Sequence, residues 1–436
     1  MPSLPYEFSD KTITPWGGLR LLEEFWTKIG FRSKLRQMSW DIPGSGRGYD
    51  HHEIAESFIV AVILGAQRFS EAAYLGVDEV VKEIFSWEKG MPNQSTLSRF
   101  FPKYTEEKSD KLYVDLMKWW FHKITNEQIT LDFDSTVITR YGNQEGVEVG
   151  YNPTKPGRGS HHPIMAFVPE LKMVVNSWMR TGDSAAADSF KEFLDQTLQI
   201  LPKERIGLIR ADSGFSGNKN LSYLESQSLD YIIALRMTSG LVSEIVSSRY
   251  WKPLKDGIEY TSFTFRAKGW KTERRVVVVR KDSEKLPKSG GKTLFPNHDD
   301  YLRFRYSAFV TNSQLSGNLV WEIYKHRAEA ENQIKELKYD YGIEGFAARN
   351  VEATEFAFRL NTVAYNLMSL YKMMLANTNS SLSNVRYNCI AIGAYLVKSS
   401  RKTRLKLAAQ NSKRDFVDGL FKKLELMEHD QPWSIA

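Results

Sequence analysis

The chain has 436 residues, of which 42% are hydrophobic and 25% charged, so its composition is that of a folded globular protein and excludes wholesale disorder. Its single cysteine, Cys389, excludes an intramolecular disulfide and a cysteine-based zinc finger. The 59 Lys and Arg against 52 Asp and Glu give a net charge of +7, which is compatible with a polyanionic partner but does not require one.

No segment favours secretion or membrane insertion. The first residues lack the basic and apolar regions of a signal peptide, and the longest apolar run, residues 58–65, is far shorter than the about 20 residues of a membrane span. We therefore expect a cytoplasmic protein with no membrane contact.

Residues 1–125 have a helical pattern, in which apolar residues such as Phe58 and Val62 recur at helical spacing. A polar turn leads there into a short helix that carries Ser95 and Arg99, as in the reading helix of a helix-turn-helix. On that interpretation Arg99 contacts DNA. A capped helix in an ordinary bundle would have the same pattern.

Residues 126–240 change to the pattern of strands, three in succession and then strands alternating with helices. The predicted strands are 129–138, 162–167, 173–180, 206–212 and 231–236, and the predicted helices are 185–201 and 219–227. This order predicts an α/β fold with a mixed sheet covered by helices.

Residues 241–312 are rich in predicted strands and are interpreted as a β insertion. Between Lys252 and Arg305 there are 14 Lys and Arg against 7 Asp and Glu, so we expect phosphate contacts here, from Arg274 and Arg275.

The last third of the chain is predicted to be helical. Residues 313–375 contain long amphipathic helices, of which the first is a single helix over residues 318–338. Residues 376–436 are predicted to form a helical, basic C-terminal region.

Three aspartates occupy conspicuous positions on the predicted strands. Asp132 and Asp134 are two residues apart, so both point to one face of the sheet, although carboxylates are disfavoured within strands. An exposed sheet face is one explanation and a functional site is the other. Asp212 follows an apolar strand, at the strand end where open α/β sheets keep their sites, although a turn-initiating Asp explains it equally well.

A helix over residues 321–338 carries a further carboxylate. Tyr324, Arg327, Glu331 and Lys338 fall in one stripe about 60° wide, beside the stripe of core residues. A solvated helix face with an i,i+4 ion pair between Arg327 and Glu331 would give the same pattern.

Asp134, Asp212 and Glu331 have a common chemical interpretation. They would supply the hard oxygen ligands that Mg²⁺ prefers. Two divalent ions about 4 Å apart can activate an attacking oxygen and stabilise a leaving oxygen in phosphodiester cleavage. Carboxylates so close together repel one another unless cations neutralise them, and Arg327 and Lys338 can supply that charge.

The order of these motifs resembles the DDE transposases of bacterial insertion sequences, in the broad IS4-like group. Asp134-Ser-Thr precedes Arg210-Ala-Asp212-Ser-Gly-Phe, and Tyr324-x2-Arg327-x3-Glu331-x6-Lys338 reproduces the Tyr-Arg-Glu-Lys signature of that group. The segments Tyr141-Gly-x-Gln-Glu-Gly146 and Gly150-Tyr-Asn-Pro153 resemble the IS1380 family in particular. The resemblance extends over residues 129–375.

The resemblance implies an RNase H-like catalytic core, formed by residues 126–240 and 313–375, with a β-rich insertion and helical terminal regions. Asp134, Asp212 and Glu331 would be the catalytic residues and the ligands of two Mg²⁺ ions, for which Mn²⁺ is expected to substitute.

The resemblance also implies contacts with DNA. Tyr324, Arg327 and Lys338 would contact the DNA backbone near the cleaved strand, and residues 1–125 would hold the ends of the transposon. Asp132 does not align with the catalytic position, so we expect a supporting or structural role for it.

The favoured function is a transposase that cleaves DNA at terminal inverted repeats and joins the freed 3′ ends to target DNA. We expect a homodimer on DNA, since two ends are cut together, and a location at the bacterial nucleoid. Two alternatives remain, a transposase-derived DNA-binding protein that does not cut, and a metal-dependent nuclease with the same core.

Overall fold

A computed structural model of the chain describes residues 4–40, 48–125, 128–282, 303–376, 378–399 and 402–433. The chain forms two compact units, the first made of Met1–Thr125, Tyr141–Gly146 and Lys335–Ala436, and the second of Asn126–Arg140 and Val147–Ile334. A membrane span would need a longer and more apolar helix than any found in the described ranges.

The first unit begins with a short strand and a series of helices. They are β1 (Ile13–Thr14), α1 (Leu19–Lys28), α2 (Phe31–Gln37), α3 (His51–Ile63), α4 (Phe69–Tyr74), α5 (Glu79–Phe85), α6 (Gln94–Phe100) and α7 (Glu106–Lys123). Every residue of α3 from Ile54 onwards is buried, so this apolar helix lies inside the unit. Asn93 caps α6 by accepting a hydrogen bond from the backbone N–H of Thr96 at 2.8 Å.

The second unit is built on a large mixed sheet with helices. Its elements are β2 (Ile129–Ser135), β3 (Ile138–Thr139), β4 (Glu148–Val149), β5 (Gly159–His161), β6 (Ile164–Val168), β7 (Met173–Trp178), α8 (Phe190–Ile200), β8 (Ile206–Ala211), α9 (Asn218–Ser226), β9 (Tyr231–Leu235), α10 (Ser239–Ser247), β10 (Lys252–Pro253), β11 (Ile258–Phe265), β12 (Arg274–Asp282), β13 (Phe304–Thr311) and α11 (Gly317–Lys325). The described residues form a nine-stranded sheet in the order β10-β11-β12-β13-β9-β8-β2-β6-β7, in which β8 is parallel to both β2 and β9. The mixed sheet predicted from the sequence is therefore present.

The strands of the predicted β insertion belong to this same sheet. Strand β13 pairs antiparallel with β9, and β12, β11 and β10 follow it outward. The continuous valine run of β12 is explained by helices on both faces, because Val277 packs against Val320 of α11 and Val276 packs against Leu241 of α10. Residues 283–302, between β12 and β13, lie outside the described residues.

The remaining elements correct two predictions. They are α12 (Ala328–Asp340), α13 (Val351–Tyr371), α14 (Leu382–Val385), β14 (Ala394–Ser399), β15 (Lys402–Leu407) and α15 (Asn411–Leu426). The single helix predicted over residues 318–338 is wrong, because the chain turns at His326 and Arg327, between α11 and α12.

The predicted all-helical C-terminal region is also wrong. Strands β14 and β15 form an antiparallel hairpin, and β1 pairs with its β14 edge. The physical reason lies in the sequence of β15, where basic residues alternate with Leu405 and Leu407, a period of two that suits a strand.

Candidate active site

Two of the three predicted carboxylates lie at one end of the sheet. Asp134 is the last residue but one of β2, and Asp212 follows directly after β8. Because these strands are adjacent and parallel, with Phe133 paired with Ala211, the two aspartates lie at the same end of neighbouring strands. Glu331 lies in the first turn of α12, also in the second unit.

Asp134 is buried, with 8% of its surface exposed, so an exposed sheet face does not explain it. Burial raises its pKa to about 6, the positive charge of Arg327 opposes that rise, and the negative charges of Asp212 and Glu331 add to it. The three carboxylates therefore share one electrostatic environment.

Asp212 also makes the turn-forming contact that was the alternative explanation for its position in the sequence. Its Oδ1 accepts a hydrogen bond from the backbone N–H of Gly214 at 2.8 Å, which caps the short 3₁₀ turn Ser213–Phe215. Gly214 is needed for space, since a Cβ there would lie 2.8 Å from the Cβ of Ala186. The turn thus fixes the aspartate at the end of its strand.

The turn between α11 and α12 directs Arg327 toward the carboxylates. The buried guanidinium places Nη2 3.1 Å from Asp134 Oδ2, and Nη1 lies 3.9 Å from Glu331 Oε1. Glu331 itself is 61% exposed, so its i,i+4 pair with Arg327 is present as a partly solvated contact. Arg327 is therefore the cation that connects the strand carboxylate with the helix carboxylate.

Tyr324 is half-buried beside the same strand end. Its hydroxyl donates to the carbonyl of Ala211 at 3.2 Å, and burial raises the pKa of Tyr324 to about 12. Lys338 lies further along α12, in the first unit, where its ammonium is 3.1 Å from Glu344. The DNA contacts expected of Tyr324, Arg327 and Lys338 stay predictions, and two of these side chains already have partners inside the second unit.

The contacts of Arg274 and Arg275 do not support the phosphate contacts predicted for the β-rich region. Arg274 is buried, and its guanidinium binds both carboxylate oxygens of Glu225, at 2.6 and 2.9 Å. Arg275 donates to the carbonyls of Ser313 and Leu315, each at 2.7 Å. Because both guanidiniums are held by the fold, we do not retain them as DNA contacts.

The short helix with Arg99 has the exposure that a reading helix requires. Leu97 and Phe100 of α6 are buried, whereas Ser95, Ser98 and Arg99 are exposed. This pattern is equally that of a capped helix on a bundle, so base reading by Arg99 stays a prediction.

Sequence reasoning missed several buried polar residues close to the aspartates. Arg210 forms a buried, bidentate ion pair with Asp132. His162 is hydrogen-bonded through Nδ1 to the carbonyl of Ser184 at 2.7 Å, and its pKa is lowered chiefly by burial, with a small opposing effect from the charge of Asp212. The available signal for Arg210 was its position two residues before Asp212 on a strand, which puts both side chains on one face.

The three carboxylates supply ligands of the kind that divalent ions prefer. All their donor atoms are hard oxygens, and a bound dication would favour the ionised form of Asp134, which burial disfavours. In the described residues, only Asp50, His52 and Glu53, at the start of α3, place their ligand atoms within 4.8 Å of one another. The ligand atoms of Asp134, Asp212 and Glu331 are therefore not all within that distance of one another.

Comparison with known proteins gives one strong match. The model of the family described as "Transposase DDE domain group 1" matches residues 2–429. No curated protein matches the chain. Among solved structures, the piggyBac transposase synaptic complex with hairpin DNA is similar at 11% identity and a TM-score of 0.44, covering 95% of this chain and 82% of that one. The Mos1 strand transfer complex is similar at 10% identity and a TM-score of 0.17, covering 55% and 84%. Neither structural likeness is close enough to add to the assignment.

Proposed function

This chain belongs to the Transposase DDE domain group 1 family, and we propose that it binds the terminal inverted repeats of its own insertion sequence, cleaves the DNA there and joins the 3′ ends to target DNA. The observation that carries the proposal is the meeting of Asp134 and Asp212 at one end of the sheet, with Arg327 between Asp134 and Glu331. These are the residues, in the order, that the DDE resemblance requires.

The proposed chemistry uses the three carboxylates as holders of two Mg²⁺ ions, or of Mn²⁺ in their place. When bound, such a pair activates an attacking oxygen and stabilises a leaving oxygen. Arg327 favours the ionised form of Asp134, because its positive charge opposes the effect of burial on the pKa of Asp134, and its other terminal nitrogen lies 3.9 Å from Glu331. Water provides the attacking oxygen in cleavage and the freed 3′-hydroxyl provides it in joining, so the chain forms no covalent bond to DNA.

The proposal extends to the fold and the subfamily. The strand order β7-β6-β2-β8-β9, antiparallel on one side of β2 and parallel on the other, supports an RNase H-like core, with Asp134 on its central strand. The segments at residues 141–146 and 150–153 support the IS1380 family.

We assign end binding to the helices of residues 1–125, with α6 as the reading helix, and phosphate contacts to the basic C-terminal region. A homodimer would hold the two ends, and the enzyme would act on DNA at the bacterial nucleoid. The exposed face of α6 and the exposed basic residues of β15 support this division.

The test uses DNA that carries the inverted repeats flanking the coding sequence. Asp134→Ala, Asp212→Ala and Glu331→Ala should each abolish Mg²⁺-dependent cleavage but bind the ends nearly as the wild type does, because affinity comes mostly from phosphate contacts elsewhere. Glu322→Ala is the matched control, since this exposed glutamate of α11 pairs only with nearby Lys325 among the contacts described and should cleave normally.

The outcome separates the proposal from its alternatives. A wild-type protein that binds the ends without cleaving them in Mg²⁺ or Mn²⁺ would be a DNA-binding protein. Cleavage without a joined product would indicate a nuclease. Normal cleavage by Glu331→Ala would remove that residue from the site.

A further inference from the structure

A buried ion pair lies on the same two strands, with each partner two residues before Asp134 or Asp212. Asp132 and Arg210 are paired residues of β2 and β8, with 0% and 3% of their surfaces exposed. The guanidinium Nε lies 2.6 Å from Oδ1 of Asp132 and Nη2 lies 2.8 Å from Oδ2. Because side chains alternate along a strand, this pair faces the same way as Asp134 and Asp212.

Arg210 makes a third contact, which reaches the helix. Its Nη1 donates to the carbonyl of Ile323, in the last turn of α11. The next residue, Tyr324, donates its hydroxyl to the carbonyl of Ala211, the residue after Arg210. One guanidinium therefore connects β2, β8 and the end of α11. The two strands continue to Asp134 and Asp212, and the chain after α11 turns at His326 and Arg327 before it reaches Glu331.

A bidentate pair of this kind contributes geometry more than stability. Two parallel N–H···O bonds fix the relative position of the two strands, whereas the desolvation of both charges offsets much of their attraction. The ion pair between Asp132 and Arg210 therefore fixes the spacing of β2 and β8 more closely than an apolar contact at the same positions would.

We propose that Asp132 and Arg210 are positioning residues, which set the spacing of Asp134, Asp212 and Glu331 and so determine how tightly the site binds divalent ions. This inference rests on the proposed role of the three carboxylates as metal ligands. We do not assign Asp132 as a ligand, because each of its oxygens accepts a hydrogen bond from the guanidinium and none of its surface is exposed.

The structure supplies a matched control pair. Glu225 of α9 and Arg274 of β12 form a second bidentate ion pair, at 2.6 and 2.9 Å, in which the arginine is buried. Among the described contacts, neither residue bonds to β2, β8 or α11, the three elements that Arg210 connects. Glu225→Gln therefore perturbs a comparable pair in the same unit without touching the site.

The experiment measures Mn²⁺ binding by titration calorimetry, without DNA and independently of activity, for the full-length wild type, Asp132→Asn, Arg210→Lys and Glu225→Gln. A second measurement determines the Mn²⁺ concentration that gives half-maximal cleavage. We expect the dissociation constant for Mn²⁺ and the Mn²⁺ concentration for half-maximal cleavage both to rise about tenfold in Asp132→Asn and in Arg210→Lys. In Glu225→Gln both should stay within twofold of the wild-type values. Affinity for the DNA ends should not change in any of them.

Two results would overturn the inference. Wild-type Mn²⁺ affinity in folded Arg210→Lys would reduce the pair to a structural element, and this variant alone decides the matter if Asp132→Asn does not fold. Weakened binding in Asp132→Asn together with normal binding in Arg210→Lys would make Asp132 a ligand instead. A wild type that neither binds Mn²⁺ nor cleaves would instead refute the proposed function, so the two failures are distinguishable.

Discussion

Replacing Asp134 with Asn should make the metal-free protein more stable at neutral pH while abolishing cleavage. The pKa of Asp134 is raised from 3.8 to about 6, chiefly by burial and despite the charge of Arg327. At about 1.4 kcal/mol per pKa unit, ionised Asp134 costs the folded state about 3 kcal/mol. Asn resembles the neutral carboxyl in size, so Asp134→Asn should recover most of that free energy.

The gain should depend on pH in a defined direction. Since the folded-state pKa lies above the unfolded value, the folded protein binds this proton more tightly, and the contribution of Asp134 to stability falls as the pH rises. The difference between Asp134→Asn and wild type should be absent below the ordinary value of 3.8, grow up to about pH 6 and remain constant above it. Urea unfolding in EDTA, over a series of pH values, measures it.

Divalent ions should reverse the order of stability. A ligand that binds only the folded state at 100 times its Kd stabilises it by about 2.7 kcal/mol, and Asp134→Asn would lose this effect with its ligand. Asp195→Asn is the control. Burial raises the pKa of Asp195, but contacts with Tyr223 and Lys191 lower it overall, so Asn should bring no gain there. Equal or lower stability of Asp134→Asn in EDTA at pH 7.5 would refute the assignment of an electrostatically strained site.

Three further outcomes are expected from single substitutions. Arg99→Ala should keep the fold but reduce the ratio of end binding to random-DNA binding, whereas Lys103→Ala, which changes an exposed lysine just after α6, should not reduce that ratio; an unchanged ratio for Arg99→Ala in mobility-shift titrations would place end recognition elsewhere. Arg274→Ala should lower the free energy of unfolding by about 2 kcal/mol, because it removes the ion pair with the partly exposed Glu225, which keeps its hydrogen bond from Tyr231, yet leave the slope of log affinity against log salt unchanged. A reduced slope there would restore Arg274 as a phosphate contact. Gly214→Ala should cost about 1–3 kcal/mol and reduce cleavage, because the new Cβ would lie 2.8 Å from Ala186 and displace the turn that holds Asp212; full cleavage with unchanged stability would show that the turn adjusts.

The central strands could be predicted because their signal is local. Period-two alternation located β2, and an apolar run ending at a polar turn located β8 and the position of Asp212 after it. Two such strands in an α/β pattern are brought side by side by general rules of connection, so the meeting of Asp134 and Asp212 was within reach of the sequence.

The conformation of Arg327 could not be predicted from the sequence, because it depends on Asp134, a partner 193 positions away in the chain. A helical wheel assumes an unbroken helix, and residues 318–338 satisfy that pattern well. The turn at His326 and Arg327 is compensated by the contact of Arg327 with Asp134, which no local pattern contains. Helix propensity was overridden here by tertiary electrostatics.

Arginines that are buried and paired are not available to contact DNA phosphates. A charge count treats every arginine as a candidate phosphate contact, yet Arg210, Arg274 and Arg327 are buried and paired with carboxylates of the second unit. Some of the basic residues behind the net charge of +7 are therefore paired with acidic groups inside the fold and cannot contact a polyanion. Because phosphate contacts need exposed cations, the salt dependence of DNA binding should arise from residues such as Arg99 of α6 and Arg404 of β15, both exposed and both in the first unit.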